Sequence, residues 1–400
     1  MEKTEKINYL DGIRAISAII VVFHHYILAF FPALYTGNVA ESHINTASEA
    51  YLAGSPLGIF YAGNFAVCLF YILSGFVLSY KFLKFKNYEI IVSSAIRRYF
   101  RLVVPILLSV FVAYILMKLG FFFNKEASDF SKSSWWFAGQ WGFETSFWHM
   151  LKSGLFKVFF AYDASYNTAL WMMSYIFYGS FITLGVIALF GKLKLRYIAY
   201  ALTYLILINT YYSAFILGII LADIFANSPN FFKKFNHFYI TIPFILIGIF
   251  FGAYPFGVYT NGTIYEIFNL KFLPSPGQFW HIIGALLIIF AAFASTGFQK
   301  FLSNKFLIFT GTISFSIYLI HALILGSFSG WMFLKLIPHF SYITSFSISF
   351  TISIPIIFIL AFYSTKYIDS NGLKFSQYIY EKLAKPTLLK FKIIRTKESQ

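Results

Sequence analysis

Long apolar stretches, separated by short polar segments, run along most of the chain. About 20 apolar residues in a helix cross the hydrocarbon core of a bilayer, so each long stretch is a candidate span. The pattern predicts ten spans, of which the fifth and sixth are short and share a tight connection. They cover residues 9–31, 61–80, 102–122, 168–190, 197–212, 213–227, 238–257, 278–296, 306–327 and 341–364. We therefore predict an all-α integral membrane protein, with a transmembrane domain over residues 1–364 and a basic tail over residues 365–400.

Positive charge is distributed unevenly among the polar segments. If the N-terminus is cytoplasmic, 24 of the 31 Lys and Arg residues fall on the inner side, as the positive-inside rule requires. Both termini are therefore predicted to be cytoplasmic. The rule also accounts for the formal net charge of +16 without a nucleic-acid partner. Only 12% of the residues are charged, whereas a soluble protein has about 25%.

Cysteine usage and short motifs argue against a metal centre. Cys68 is the single cysteine of the sequence, so no internal disulfide can form. The sequence contains neither a CxxC nor an HExxH motif, and we predict no metal site and no bound cofactor. The first apolar stretch is too long for a cleaved signal peptide, and we expect it to be a retained span.

The first predicted span contains ionisable residues that are costly in a membrane. Arg14 and His25 are eleven residues apart, so on a helix they share a face to within about 20° and are separated by about 16.5 Å of rise. His24 points about 80° away from that face. Asp11 can pair with Arg14 at the inner boundary. An ionisable group at mid-membrane depth is typical of a functional site, although His25 could also be a buried histidine satisfied by a nearby hydroxyl.

The ninth span has a polar stripe, and the outer loops are rich in tryptophan. Gly311, Ser314, Tyr318 and His321 follow one another at steps of three, four and three, which places them on one helix face. Such a stripe is expected to face the interior, where it serves either helix–helix hydrogen bonding or a site. His281 begins the eighth span and is predicted to be interfacial. The loop 123–167 contains four tryptophans that form either an interfacial belt or a platform for sugar rings: Trp135, Trp136, Trp141 and Trp148.

Five segments, in order, resemble the motifs of the membrane-bound acyltransferase-3 family. The first is YLDGIRAISAIIVVFHHY, which has the motif R-x10-H at Arg14 and His25. The second is LFYILSGFVLSY, which resembles FFxxSGF at Phe70, Tyr71, Ser74, Gly75 and Phe76, and the third is RRYFRLVVP, which has RxxR at Arg98 and Arg101. The fourth is NTALWMMSYIFYGSF, which has the LW of LWxxxxE at Trp171, and the fifth is FTGTISFSIYLIH, which has GxxSFSxYLxH and ends at His321. Each motif is weak alone, but the five together extend from residue 10 to residue 321.

The resemblance implies an acyltransferase in the plasma membrane. Such a protein moves an acyl group, often acetyl, from cytoplasmic acyl-CoA to a hydroxyl of a carbohydrate, commonly a surface polysaccharide or its lipid-linked precursor. Acyl-CoA is then a co-substrate, and the partners are the glycan acceptor and membrane lipids. The implied catalytic residues are His25 and Arg14. The implied acyl-CoA-binding residues are Arg98, Arg101 and Ser74. The residues implied to bind the acceptor or to support the site are Trp171, Ser174, Ser314, Tyr318 and His321.

The choice of arginine over lysine supports a phosphate site. The chain has 25 Lys and only 6 Arg, and four of the six are Arg14, Arg97, Arg98 and Arg101. Any cation satisfies the positive-inside rule, whereas the planar guanidinium also grips a phosphate in two places. We expect Arg98 and Arg101 to bind the phosphates of CoA. Anchoring to lipid headgroups is the alternative, especially for Arg97.

One position departs from the family pattern. The motif LWxxxxE has a glutamate five residues after the tryptophan, and this chain has Ile176 there. The protein could therefore be a catalytically silent relative. A transporter or flippase of a lipid-linked sugar is a further alternative, although the inverted repeats typical of many transporters are not evident.

Overall fold

The computed structural model describes residues 7–44, 48–256 and 260–390, and every regular element within these ranges is helical. Lys3, Lys6 and the last ten residues of the predicted tail lie outside them. The principal helices are α1 (Asn8–Phe30), α2 (Gly63–Phe85), α3 (Tyr88–Lys118), α4 (Trp171–Phe190), α5 (Arg196–Leu207), α6 (Tyr212–Asn227), α7 (Phe238–Gly252), α8 (Pro276–Ala294), α9 (Lys305–Ile324) and α10 (Tyr342–Ser364).

Each of the ten predicted apolar stretches overlaps one principal helix. The bounds differ most at α3, which begins at Tyr88 rather than at residue 102 and therefore includes Arg97, Arg98 and Arg101. Within the described ranges, seven helical stretches are long and apolar enough to cross a membrane, and they contain α1, α2, α3, α4, α8, α9 and α10. The other three helices, α5, α6 and α7, are apolar but have only 10–17 residues. The all-helical, multi-pass architecture is therefore confirmed, while the number ten and the cytoplasmic position of the termini stay predictions.

Short helical elements connect the principal helices. Those between α1 and α2 are Ala33–Thr36, Val39–Glu41, Ser48–Ala53 and Pro56–Tyr61. Those between α3 and α4 are Asn124–Ser131, Phe147–Lys152, Ser153–Lys157, Val158–Phe160 and Thr168–Leu170. The remaining ones are Phe232–Phe235, Glu266–Phe268, Thr296–Leu302, Leu325–Ser329, Gly330–Leu336, Thr365–Asp369, Ser370–Tyr378, Ile379–Ala384 and Lys385–Lys390.

Helix α2 lies at the centre of the bundle and packs against α1, α4, α6 and α8. Its contact with α6 is close because Gly75 has no side chain: a Cβ there would lie 2.2 Å from the Phe215 backbone oxygen. The α1–α9 contact is equally close at Gly311, where a Cβ would lie 2.0 Å from the Asp11 backbone oxygen. Small residues at helix crossings let backbones approach in this way. Both motif glycines therefore serve packing, and Gly311 fixes α9 against the helix that carries His25.

A buried ion pair joins the short helices α5 and α6. The Arg196 guanidinium donates from Nε to Asp223 Oδ2 at 2.5 Å and from Nη2 to Asp223 Oδ1 at 3.0 Å. Asp223 is fully buried, and its carboxylate also accepts hydrogen bonds from Tyr200 and Asn227. A buried carboxylate is tolerated when its lone pairs are satisfied in this way. The pair therefore holds α5, which has few buried residues of its own, against the bundle.

The described part of the predicted tail continues α10 and returns to the bundle. Residues 365–390 are helical, and Ser370–Tyr378 packs against α3. Lys385 Nζ lies 2.6 Å from Glu89 Oε1, and the Tyr380 hydroxyl donates to the same oxygen at 3.3 Å. This segment therefore covers α3 near the helical turns that carry Arg97, Arg98 and Arg101.

Candidate active site

A cavity of about 290 Å³ lies at the end of the bundle where α1 ends and α2 begins. Its wall comes from α1, α2, α4, α8 and α9 and from the segments that connect them. Among the wall residues in the described ranges, none is Asp, Glu, Lys or Arg. The polar wall residues in the described ranges are three histidines, one asparagine and one threonine, with several tyrosines and tryptophans: His24, His25, His281, Asn64, Thr168, Tyr35, Tyr61, Tyr254, Tyr318, Trp135, Trp136 and Trp171. An uncharged aromatic wall of this kind suits a neutral ligand with polar groups.

His25 is paired with His321 across the α1–α9 contact. His321 Nε2 lies 2.9 Å from His25 Nδ1, although 296 residues separate the two in sequence. His321 Nδ1 lies 3.0 Å from the Ile317 carbonyl oxygen, which can only accept. His321 therefore carries its proton on Nδ1, and its bare Nε2 accepts from His25 Nδ1–H. His25 Nδ1 also lies 3.1 Å from the Val21 carbonyl oxygen, a second acceptor for the same proton.

This pairing fixes the tautomer of His25. With the proton on Nδ1, the neutral imidazole has its lone pair on Nε2. The ring lines the cavity and is stacked on Trp136, with centroids 5.5 Å apart. His321 is fully buried behind His25 and is not part of the wall. The structure thus presents one basic nitrogen, oriented by a second histidine, to a ligand in the cavity.

His24 and His281 also face the cavity, and a backbone carbonyl orients each ring. His24 Nδ1 donates to the Tyr61 carbonyl at 2.9 Å, and His281 Nε2 donates to the Tyr254 carbonyl at 2.8 Å. Each ring therefore has its other nitrogen as a hydrogen-bond acceptor. His24 shares the cavity with His25, although helical spacing turns it about 80° from the face of Arg14 and His25. The two ring centroids are 5.2 Å apart. His281 is buried in the wall rather than interfacial.

Tyrosine hydroxyls at the cavity supply donors. Burial raises the pKa of both Tyr35 and Tyr61 to about 12. Both phenols are therefore protonated at neutral pH. The Tyr61 hydroxyl donates to the Leu52 carbonyl at 3.4 Å, whereas the Tyr35 hydroxyl can donate to a ligand. Tyr318 also lines the cavity, but its hydroxyl donates to the Ala169 carbonyl and so ties α9 to the segment before α4.

The four tryptophans of the 123–167 loop divide among different environments. Trp135 and Trp136 are on the cavity wall. Trp141 is buried, donates from Nε1 to the Tyr166 carbonyl at 2.9 Å and stacks on Phe122. Trp148 is 76% exposed. Two of the four are thus positioned to contact a ligand, as the platform hypothesis requires.

Arginines cluster at the opposite end of α1. Arg14 Nη1 donates to Asp11 Oδ1 at 3.1 Å, which confirms the predicted pair. Arg14 and Arg101 lie close enough to Arg98 to repel its charge. The Nε atoms of Arg97 and Arg98 are buried and have no hydrogen-bond partner among the described residues. Asp369 attracts Arg101 from the segment after α10. Buried guanidinium donors without acceptors, concentrated in one place, form a potential anion site.

The remaining predicted residues have local roles in this structure. The Ser174 hydroxyl donates to the Val158 carbonyl at 2.7 Å and accepts from the Tyr162 amide at 3.0 Å, which fixes the connection before α4. The Ser314 hydroxyl donates to the Gly311 carbonyl within α9. Trp171 lines the cavity beside Tyr175 and Tyr211.

Two further predicted residues, Ser74 and Ile176, are not among the cavity residues named above. Ser74 is half-buried in α2. Ile176 is half-buried in α4 and packs against the hydrophobic core.

Comparison with known proteins relates the chain to acyl-transferring enzymes. The model of one protein family, described as an acyltransferase domain, matches residues 7–362. The acyltransferase clz18 of Cochliobolus lunatus is 23% identical over an alignment length of 396. The alignment covers 81% of this chain and 84% of that protein. The O-acetyltransferase PaAT-1 of Phomopsis amygdali is 30% identical over 129 residues, but this match spans only 30% of the chain and 24% of that protein. No solved structure matches.

Proposed function

Since the chain belongs to the acyltransferase-3 family, we propose that it transfers an acetyl group from acyl-CoA to a hydroxyl of a carbohydrate acceptor. The observation that carries the proposal is the histidine pair. His25 presents a bare Nε2 to the cavity because His321 accepts the proton of its Nδ1. A basic nitrogen that is oriented in this way suits the removal of a proton from a bound hydroxyl, and an ionisable group within a predicted span is typical of a functional site.

His25 acts as a general base in the proposed reaction. Its Nε2 removes the proton of the acceptor hydroxyl while the hydroxyl oxygen attacks the thioester carbonyl of acyl-CoA. The new C–O bond forms, the C–S bond breaks, and the CoA thiolate takes up the proton that His25 received. His321 is a positioning residue in this scheme, since it stabilises the His25 tautomer that can accept a proton.

Acyl-CoA binds at the arginine end of α1 in this proposal. Arg98, Arg101 and Arg14 bind the pyrophosphate and the 3′-phosphate, to which their planar forks are suited. The rise of about 16.5 Å between Arg14 and His25 is then bridged by the extended pantetheine arm. The cluster is supported as an anion site by the buried, unpartnered Nε of Arg98. By the positive-inside rule, this end faces the cytoplasm of a cell whose plasma membrane holds the protein.

The acceptor enters from the cavity end. Trp135 and Trp136 offer flat apolar faces to a sugar ring, and the tyrosines and histidines offer hydrogen bonds to its hydroxyls. One relative is named an O-acetyltransferase, which agrees with transfer to oxygen. We propose a cell-surface polysaccharide or its lipid-linked precursor as the acceptor class.

Turnover of acetyl-CoA by purified protein tests this function, with Ile176→Glu as the informative variant. We expect the wild type to be active and Ile176→Glu to be faster, on the order of tenfold, which corresponds to about 1.4 kcal/mol of barrier. The physical reason is that α4 packs against α3, and α3 carries the unpartnered Arg98 Nε. A glutamate at position 176 on α4 would place a carboxylate on the helix that packs against α3, where it could pair with Arg98.

The His25→Ala protein is the inactive reference in the same assay. If the wild type and His25→Ala are equally inert while Ile176→Glu is active, the chain is a disabled acyltransferase. The observation that favours this second candidate is the apolar Ile176 at the family's glutamate position.

Arg98→Lys tests the donor site. The substitution keeps the charge but removes the bidentate fork, so we expect the affinity for CoA to fall on the order of tenfold, as isothermal titration can measure. Dephospho-CoA, which lacks the 3′-phosphate, locates the contact: a penalty that disappears with this ligand assigns Arg98 to the 3′-phosphate. Unchanged affinity for both ligands would remove Arg98 from the site.

A further inference from the structure

His24 has a lone-pair nitrogen that a ligand in the cavity can reach. Its Nδ1 donates to the Tyr61 carbonyl at 2.9 Å, so the neutral ring carries its lone pair on Nε2. Among the described residues Nε2 has no hydrogen-bond partner, and it is not one of the side-chain atoms that are buried there without one. The side chain is half-buried and lines the cavity. Nε2 is therefore an accessible acceptor that lacks a donor.

The surroundings of His24 hold its ring in one orientation. The hydrogen bond to Tyr61 fixes Nδ1, and Tyr35 meets the ring edge-on with centroids 5.4 Å apart. On the Cδ2 side lies Gly63, the first residue of α2, and a Cβ there would lie 2.5 Å from Cδ2. Because Cδ2 is bonded to Nε2, a larger residue at this position would push the free nitrogen aside. The close approach of α2 thus helps to fix the position of Nε2.

The free nitrogen of His24 is close to that of His25. Nδ1 of His25 is the atom that pairs with His321, so His25 also has its lone pair on Nε2. The two ring centroids are 5.2 Å apart. Each nitrogen lies less than one bond length from the centroid of its ring, so the two Nε2 atoms are separated by less than three hydrogen-bond lengths, or about 8.4 Å. Two neighbouring hydroxyls of one molecule can span this separation, since each makes one hydrogen bond and their oxygens lie about one such length apart.

The chemistry of the wall selects the kind of donor. Both Nε2 atoms accept hydrogen bonds, and the wall residues in the described ranges carry no negative charge that would hold an ammonium or a guanidinium. The donors that pair with these nitrogens are therefore neutral. Trp136 stacks on His25 with centroids 5.5 Å apart, and Trp135 stacks on Tyr35 at 6.2 Å. Flat apolar faces of this kind suit the carbon skeleton of a ring that carries the hydroxyls.

We propose that His24 is a specificity-determining residue that binds a second, non-reacting hydroxyl next to the one that is acylated. This inference rests on the proposed function and deepens it, because it names a vicinal diol as the unit of the acceptor that the cavity recognises. While His25 takes the proton of one hydroxyl, His24 Nε2 accepts a hydrogen bond from the neighbouring hydroxyl. An acceptor with a single hydroxyl leaves one of the two nitrogens unpaired and binds more weakly.

Binding of three matched probes to the full-length protein in detergent tests the proposal. The probes are cis-1,2-cyclohexanediol, its monomethyl ether and cyclohexanol. The ether keeps both oxygens but has only one hydroxyl that can donate. Tryptophan fluorescence gives the readout, since Trp135 and Trp136 lie in the wall. We expect the wild type to bind the diol more tightly than either of the other probes, on the order of tenfold, and His24→Phe to bind all three within about twofold of one another.

Three further variants separate the free acceptor from the packing of the site. His24→Asn can still donate to the Tyr61 carbonyl but has no acceptor near the former Nε2, and we expect it to lose the diol preference. His24→Gln can place its amide oxygen near that position, and we expect it to keep most of the preference. Gly63→Ala keeps the histidine but displaces its ring, and we expect the preference to fall. His339→Phe, at an exposed histidine, is the control and should behave as the wild type does. These variants keep the test decisive if His24→Phe does not fold.

The outcomes distinguish this inference from the proposed function. A wild type without diol preference, or an unchanged preference in His24→Phe and His24→Asn, overturns the role of His24. A second readout is transfer of radiolabelled acetyl from acetyl-CoA to the probes. If the diol preference depends on His24 but no acetyl is transferred to any hydroxyl acceptor, the binding site stands and the proposed function fails. If acetyl is transferred equally well to all three probes and none is bound preferentially, the proposed function stands and the role of His24 fails.

Discussion

His25→Ala should lower the rate of acetyl transfer by a factor on the order of 10² to 10⁴, the usual contribution of a general base. The loss should appear in kcat, because the base acts on the reacting hydroxyl and not on the distant CoA phosphates. Acetyl transfer from radiolabelled acetyl-CoA measures the rate. Affinity for CoA, which depends on the arginine end of α1, should stay within about twofold of the wild-type value.

His24→Ala is the matched control for this prediction. His24 is the adjacent residue of α1 and lines the same cavity, but it donates to the Tyr61 carbonyl, whereas the hydrogen bond to His321 is made by His25. We expect a loss on the order of tenfold or less, since one neutral hydrogen bond is at stake. Equal losses from the two variants would contradict the assignment of the base to His25. Thermal unfolding in detergent verifies that both variants fold.

His321→Phe should lower kcat on the order of 10- to 100-fold without a change in the affinity for CoA. Phenylalanine fills the space of the ring but cannot accept from His25 Nδ1–H. The remaining acceptor, the Val21 carbonyl at 3.1 Å, still favours the productive tautomer, so the loss is smaller than that of His25→Ala. The factor corresponds to the cost of leaving one buried hydrogen bond unmade.

His321→Gln separates positioning from packing. The glutamine side chain can place its amide oxygen near the former Nε2, where it accepts from His25 Nδ1–H, so we expect this variant to recover most of the activity. A merely structural role would make the two variants equally slow, or would lower thermal stability in step with the rate. Either result would contradict the positioning role.

Much of the bundle could be predicted because its helices depend on residues that are close together in the sequence. Each principal helix follows from an apolar stretch of sufficient length, and the Asp11–Arg14 pair follows from helical spacing. Helical spacing also placed Arg14 and His25 on one face of the helix, about 16.5 Å apart. The number of spans was less certain because α5, α6 and α7 are short, and tertiary contacts such as Arg196–Asp223 hold α5 against α6.

The cavity could not be predicted because its residues meet only through long-range folding. Helical periodicity places His24 and His25 on different faces, but the segment that ends at Tyr61 folds over α1 and turns both faces into one wall. His281 is satisfied by a carbonyl 27 residues away. The sequence predicted that His321 contacts the acceptor or supports the site. The structure places it behind His25, since the close α1–α9 contact at Gly311 brings the two histidines together.

The two ends of α1 differ in charge, so ligand binding at each end should depend differently on ionic strength. Dissolved salt screens exposed charges beyond about 8 Å at physiological concentration and buried charges much less. The approach of an anionic ligand to the arginines should therefore slow as salt rises, whereas its contact with the buried Arg98 should weaken little. The wall residues in the described ranges are uncharged, and a neutral ligand there has no Coulombic attraction for salt to screen. If the two ends open to opposite sides of the membrane, donor capture responds to the ionic strength of the cytoplasm, while acceptor binding is indifferent to the salinity of the environment outside.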